Sequence, residues 1–167
     1  MMMVNILKTA LFSVFAMLLL VLPLQAQTVS SQDPASIAKQ LRDRGQTAIM
    51  TIDEFGDPFI ETSFENVDYS VLFYGCSEHE LCNSVSLRAQ RFGVGSTSYE
   101  AVNRWNTDQR WTKLYTAQAN SATLEMDILF LDGPMSVEAF ASHIDVWERS
   151  LREFARYVDG GSYEFVD

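Results

Sequence analysis

Val137, Phe140, Ile144, Trp147, Leu151, Phe154 and Val158 follow one another at alternating steps of three and four residues. On a helix, that spacing lines up one apolar seam along a single face. Gly133-Pro134 stops whatever precedes it, and Ser136 stands at an N-cap position. A seam this long needs a cover: a sheet from the same chain, or a helix from a second copy. The residues upstream read as a sheet, so packing on that sheet is the expectation. A helix-to-helix dimer contact is the alternative.

Asp33-Pro34 reads as an N-cap followed by proline at the first helical position, opening a short helix with Ile37, Ala38 and Leu41 on one face and Gly45 at its end. Four strands follow, over 48–53, 59–65, 69–75 and 83–90. The first pair is joined by the turn Asp53-Glu54-Phe55-Gly56-Asp57-Pro58, and the last strand alternates Val85, Leu87 and Ala89 with Ser84, Ser86 and Arg88. Thr97-Ser98-Tyr99-Glu100 has capping-box spacing and opens a helix carrying Ala101, Val102 and Trp105. Residues 111–117 and 122–131 read as a hairpin ahead of the last helix. The order is α-β-β-β-β-α-β-β-α. Short turns between strands imply an antiparallel sheet of about six strands, with helices over one face or the ends, so the class is α+β.

The first 26 residues have a different purpose. Lys8 gives a short basic start, 9–22 (TALFSVFAMLLLVL) is apolar and uncharged, and Pro23-Leu24-Gln25-Ala26 ends on a small residue. This is the layout of a secretory signal peptide cut between Ala26 and Gln27; the apolar run falls short of the roughly 20 residues needed to span a bilayer. No cysteine follows the run, so no lipid anchor is expected there. The expected organisation is a signal peptide at 1–26, a flexible leader at 27–32 (QTVSSQ), one domain at 33–158 and a loose tail at 159–167. The location is periplasmic, with release to the medium as the alternative.

Charge removes whole classes of function. The chain carries 22 acidic and 12 basic side chains, a formal charge of −10. Loss of 1–26, with its single Lys8, makes this −11. Phosphate recognition needs a basic surface, and an anionic membrane repels this one, so neither nucleic acid nor stable membrane insertion after cleavage is expected.

Candidate chemistry is sparse. Cys76 and Cys82 are the two cysteines, flanking a tight turn. In an exported chain they are expected to form a disulfide; the rival is Cys76-x-x-His79-x-x-Cys82 as three zinc ligands, which lacks an evident fourth. His143 lies beside the apolar seam, and no G-x-S-x-G sequence accompanies it or His79, so neither is assigned as a general base. Gly93-Val94-Gly95 has Ser98 where a phosphate loop needs its third glycine. Asp53, Glu54 and Asp57 surround Gly56 without calcium-loop spacing and read as turn chemistry. No catalytic residue, metal ligand or cofactor-binding residue is assigned.

One resemblance adds to this reading. Asp57-Pro58, the run Tyr69-Ser70-Val71-Leu72-Phe73-Tyr74-Gly75-Cys76, Val102-Asn103-Arg104-Trp105-Asn106, Arg110-Trp111, Leu124-Glu125-Met126-Asp127 and Gly133 look like the YbjN-type family, described as bacterial sensory transduction regulators. The resemblance covers residues 33–158. It implies a fold similar to type III secretion chaperones, which are small, acidic, non-catalytic and commonly dimeric, and a hairpin disulfide between Cys76 and Cys82. It brings no catalytic residues, and fold similarity does not transfer chaperone activity. The Gly93-Val94-Gly95 stretch is not part of the family pattern. Asn103, Arg104, Trp105, Asn106 and Arg110 read either as a binding surface or as the cap of a helix end and its turn, the second being the expectation. The function expected is a non-catalytic exported protein that binds a protein or peptide partner, with homodimerisation allowed. The alternative is a small-ligand or metal-binding protein using the Cys76-His79-Cys82 hairpin.

Overall fold

The computed structural model describes residues 27–93, 98–116 and 120–158. The elements are β1 (Thr28–Val29), α1 (Pro34–Asp43), β2 (Thr47–Ile52), β3 (Pro58–Phe64), β4 (Val67–Tyr74), β5 (Ser84–Phe92), α2 (Tyr99–Asp108), β6 (Lys113–Tyr115), β7 (Ser121–Leu129), β8 (Met135–Ser136) and α3 (Val137–Val158). Six of the strands form one antiparallel sheet in the order β2-β3-β4-β5-β7-β6, with three helices beside it. The α+β class and the order of its main elements are those expected.

Local chemistry sets the boundaries. Asp33 stands at the N-cap and Pro34 opens α1, as expected, although the Asp33 side chain makes no capping bond. Instead Ser36 accepts from the Ser30 amide at 3.0 Å, which ties the helix start to the residues before it. Glu65 and Asn66 both take positive φ, 46° and 67°, between the paired Phe64 and Val67. Two successive left-handed residues are what a tight two-residue hairpin needs to match strand twist. Ser98 caps α2 through the Ala101 amide, and Ser136 caps α3 through the Ala139 amide, each at 3.1 Å.

The period of two along the strands sorts side chains onto two faces. Ile60, Val71, Leu87 and Met126 stand in register across four strands and are buried. The α3 seam covers that face: Phe140, Ile144, Trp147, Leu151 and Phe154 are fully buried. The Tyr69 and Trp147 rings meet edge to face with centroids 5.5 Å apart. Packing on the chain's own sheet is thus the fate of the seam. A polar bolt fixes α3 to the end of α1. Glu148 accepts from Arg44 Nε and Gln46 Nε2, both at 2.8 Å, and Gln46 accepts from the Tyr69 hydroxyl at 2.6 Å. Burial drives the Tyr69 hydroxyl well above its ordinary pKa, so it stays a donor in this bolt.

Two expectations need correction. The leader at 27–32 is not loose: Thr28 and Val29 pair with Ser136 and Met135 as a second, two-stranded sheet, and Val29 and Ser31 are fully buried. Ser31 donates to the Cys82 carbonyl, so the segment is clasped between the start of α3 and the cysteine hairpin. Its polar composition hid this because only Val29 carries the apolar contact. Of the strand read over 111–117, the described residues pair only as Lys113–Tyr115, because the chain arrives from α2 and Thr112 turns inward to meet Trp105; residue 117 lies outside the described residues. The tail at 159–167 lies outside the described residues, as do the signal segment and Val94-Gly95.

Candidate functional site

The second face of the sheet carries a large groove of mixed chemistry. It is an open concavity of about 580 Å³ over β2 to β5, with Ile49, Phe59 and Leu72 as its apolar floor and Glu61, Asp68, Arg88 and Gln90 around it. Register places these residues: Glu61 faces Ser70, Phe59 faces Leu72 and Ile49 faces Glu61, one residue out of step with the buried set. Glu61 and Asp68 are exposed carboxylates with no ion pair among the described residues.

The far side of the same face is electrostatically closed. Glu125 accepts from Arg88 Nε at 2.9 Å, from the Tyr115 hydroxyl at 2.6 Å and from Lys113 Nζ at 2.7 Å. Burial opposes ionisation of Glu125, but the Lys113 and Tyr115 donors and the Arg88 charge outweigh it, and its pKa falls to about 2. Burial, then the neighbouring Glu125, pushes the Tyr115 hydroxyl up to about 12. Arg88 also donates to the Tyr74 hydroxyl at 3.0 Å. The free charge facing the groove is therefore that of Glu61 and Asp68. Such a surface can hold an extended segment that offers apolar side chains to the floor and cations to the rim.

The cysteines are joined, Cys76 to Cys82, with the sulfurs 2.11 Å apart. That overturns the zinc reading of the hairpin, because both thiolates are consumed. His79 instead meets Asp57, Nδ1 to Oδ1 at 2.9 Å, on the neighbouring turn. Asp53 accepts from the Phe55 and Asp57 amides, both at 2.9 Å, so this carboxylate organises the turn. His143 lines a shallow groove of about 330 Å³ with Trp111, Met126 and Val146, and no carboxylate lies among its lining except Asp127.

The Asn103–Asn106 segment resolves into separate duties. Trp105 is buried and donates to Thr112 at 3.3 Å. Asn106 bonds both backbone groups of Leu114, donating to the carbonyl at 3.0 Å and accepting from the amide at 2.8 Å. Arg104 pairs with Glu100 on its own helix, Asn103 receives the Thr107 hydroxyl on its carbonyl, and Arg110 lies 5.2 Å over the Trp111 ring. Trp105 and Asn106 thus join α2 to β6.

Compared with known proteins, the sequence model of the family described as "YbjN: Putative bacterial sensory transduction regulator" matches residues 33–160. The chain belongs to the YbjN family. No curated protein and no solved structure matches it. No helix among the described residues is long and apolar enough to cross a membrane, and a disulfide in a YbjN domain fits an oxidising compartment.

Sequence reasoning missed the groove. Its floor and rim come from ordinary strand residues that match no motif. The available signal was that Phe59 and Leu72 alternate with Ile60 and Val71, which makes β3 and β4 apolar on both faces.

Proposed function

We propose that this YbjN protein is a non-catalytic, exported envelope protein that binds an extended segment of a protein partner on the open face of its sheet, in a regulatory or chaperone-like role. The groove over β2 to β5 carries this reading, because it joins the apolar Ile49, Phe59 and Leu72 with the unpaired Glu61 and Asp68. A partner segment with basic and apolar residues fits that chemistry. Export with cleavage between Ala26 and Gln27 into the periplasm agrees with the signal-like leader and with the Cys76–Cys82 disulfide. The chaperone-like role rests on the family resemblance.

Placing a photo-crosslinking amino acid at Leu72 in producing cells tests the proposal, with Ser142 on α3 as control. A discrete adduct at Leu72, absent at Ser142 and lost when Glu61→Lys and Asp68→Lys are added, is the expected result. An adduct at Ser142 with none at Leu72 moves the binding surface away from the sheet and overturns the assignment.

A further inference from the structure

Strand β2 (TAIMTI) is an edge of the main sheet and holds no charged residue. Ile49, Met50 and Ile52 are 61%, 47% and 68% exposed, and Phe55 in the adjoining turn is 74% exposed. Natural sheets blunt edges with charges, prolines or covering elements, because a bare edge templates pairing with another strand. Here the blunting is partial. The Asp53 amide bonds the Asp57 carbonyl, which fixes the alternation: Thr51 and Ile49 bond back to β3, while Ile52, Met50 and Ala48 turn their backbone groups outward. Arg42 NH1 donates to the outward Ala48 carbonyl at 2.8 Å. The outward amides and carbonyls of Met50 and Ile52 have no backbone partner among the described residues.

We propose that β2 pairs antiparallel with β2 of a second copy of this chain, about a two-fold axis through Thr51. This register is the one that uses both free residues and leaves the Arg42 bond intact. Met50 of each copy exchanges backbone hydrogen bonds with Ile52 of the other, and the two Thr51 residues face each other at the non-hydrogen-bonded centre. On one face Met50 and Ile52 meet as an apolar cross-strand pair; on the other the two threonines meet, with Ile49 beside them. Centring on Met50 instead would set Ile52 against Ala48 and displace Arg42 from its carbonyl. The charges also match at both ends. The Thr51-centred register brings Glu54, exposed and without an ion pair among the described residues, alongside Ala48 of the other copy, where Arg42 sits with no carboxylate of its own. Two Arg42–Glu54 pairs, related by the axis, close the junction. An uncharged, self-complementary strand flanked by one cation and one anion fits a second copy better than the basic segment proposed for the groove. The inference therefore stands apart from that function.

Sedimentation of the purified full chain over a range of concentrations tests the pairing. Wild type is expected to form a dimer. Thr51→Lys or Thr51→Glu sets like charges opposite each other and raises the dissociation constant about tenfold or more. An equimolar mixture of the two variants restores the dimer. Thr51→Cys, a smaller change at an exposed position, gives a disulfide-linked dimer on air oxidation. A wild type that stays monomeric, a dimer indifferent to Thr51→Lys, or a charge-swapped pair that does not associate would each overturn the proposal, including the case in which a strand from another protein occupies the edge.

Discussion

The two edges of the main sheet are finished in opposite ways. At β6, three residues long, a whole apparatus closes the edge. Asn106 takes both outward backbone groups of Leu114 and so imitates a neighbouring strand. Trp105 anchors that asparagine by burying its indole, and Glu125 clamps Lys113 and Tyr115 onto β7. At β2, six residues long, one exposed arginine holds one carbonyl. The longer and more apolar edge has the lighter cover. An edge that the fold needs shut is shut by a helix and buried aromatics; an edge left open offers itself as an interface.

Removing the anchor of the closed edge should have the largest effect. Trp105→Ala deletes a fully buried indole and its bond to Thr112, and a large-to-small change of this kind costs about 3–5 kcal/mol. Equilibrium urea unfolding should show a lower midpoint with an unchanged slope, since the surface exposed on unfolding is nearly the same. A loss below about 1 kcal/mol would mean that α2 does not secure β6.

The charge clamp comes next. Glu125→Gln leaves Arg88 without its counter-charge and Lys113 with only Asp127, at a carboxylate only 8% exposed, for a loss of about 2 kcal/mol at neutral pH. The sign follows from the folded pKa of about 2, below the unfolded value of about 4.3. A carboxylate with a depressed folded pKa contributes stability that is fully present above its unfolded pKa and lost as pH falls through the folded one. The difference between wild type and Glu125→Gln should therefore be constant from about pH 7 to 5 and shrink steadily towards pH 2. Thermal unfolding across that range checks it; a pH-independent difference would place the stabilisation in packing, not charge.

How much of this was legible beforehand differs between the two sides. The α3 seam, the order of the main elements and the cysteine pairing could be read directly, because a three-four periodicity, turn residues and an isolated cysteine pair each have a local cause. The duty of Asn106 could be narrowed to a helix-end role but not placed, since its partner Leu114 lies beyond a turn that no pattern specifies. The β2 edge and the groove beside it were not legible. Whether Thr47–Ile52 lies in the middle or at the rim of a sheet depends on strand order, and β7 jumps past β6 to pair with β5. The buried leader escaped for a similar reason: Val29 is one apolar residue in a polar run, and its slot is made by Met135 and Ser136 far along the chain.

The smallest effect on folding should come from Arg42→Ala at the open edge. The guanidinium is exposed and its single bond to Ala48 is water-accessible, so stability should stay within about 0.5 kcal/mol of wild type. Association should respond differently. Loss of Arg42 removes both Arg42–Glu54 pairs across the axis, each worth about 0.2–1 kcal/mol when exposed, so the dimer dissociation constant should rise by roughly two- to thirtyfold. It also frees the Ala48 carbonyl, which admits the competing register centred on Met50. Thr51→Cys placed in the Arg42→Ala background should then give less disulfide-linked dimer than Thr51→Cys alone, since in the Met50-centred register the two residues at 51 no longer face each other. Equal yields in both backgrounds would mean that Arg42 does not select the register, and that the open edge is set by the apolar strand alone.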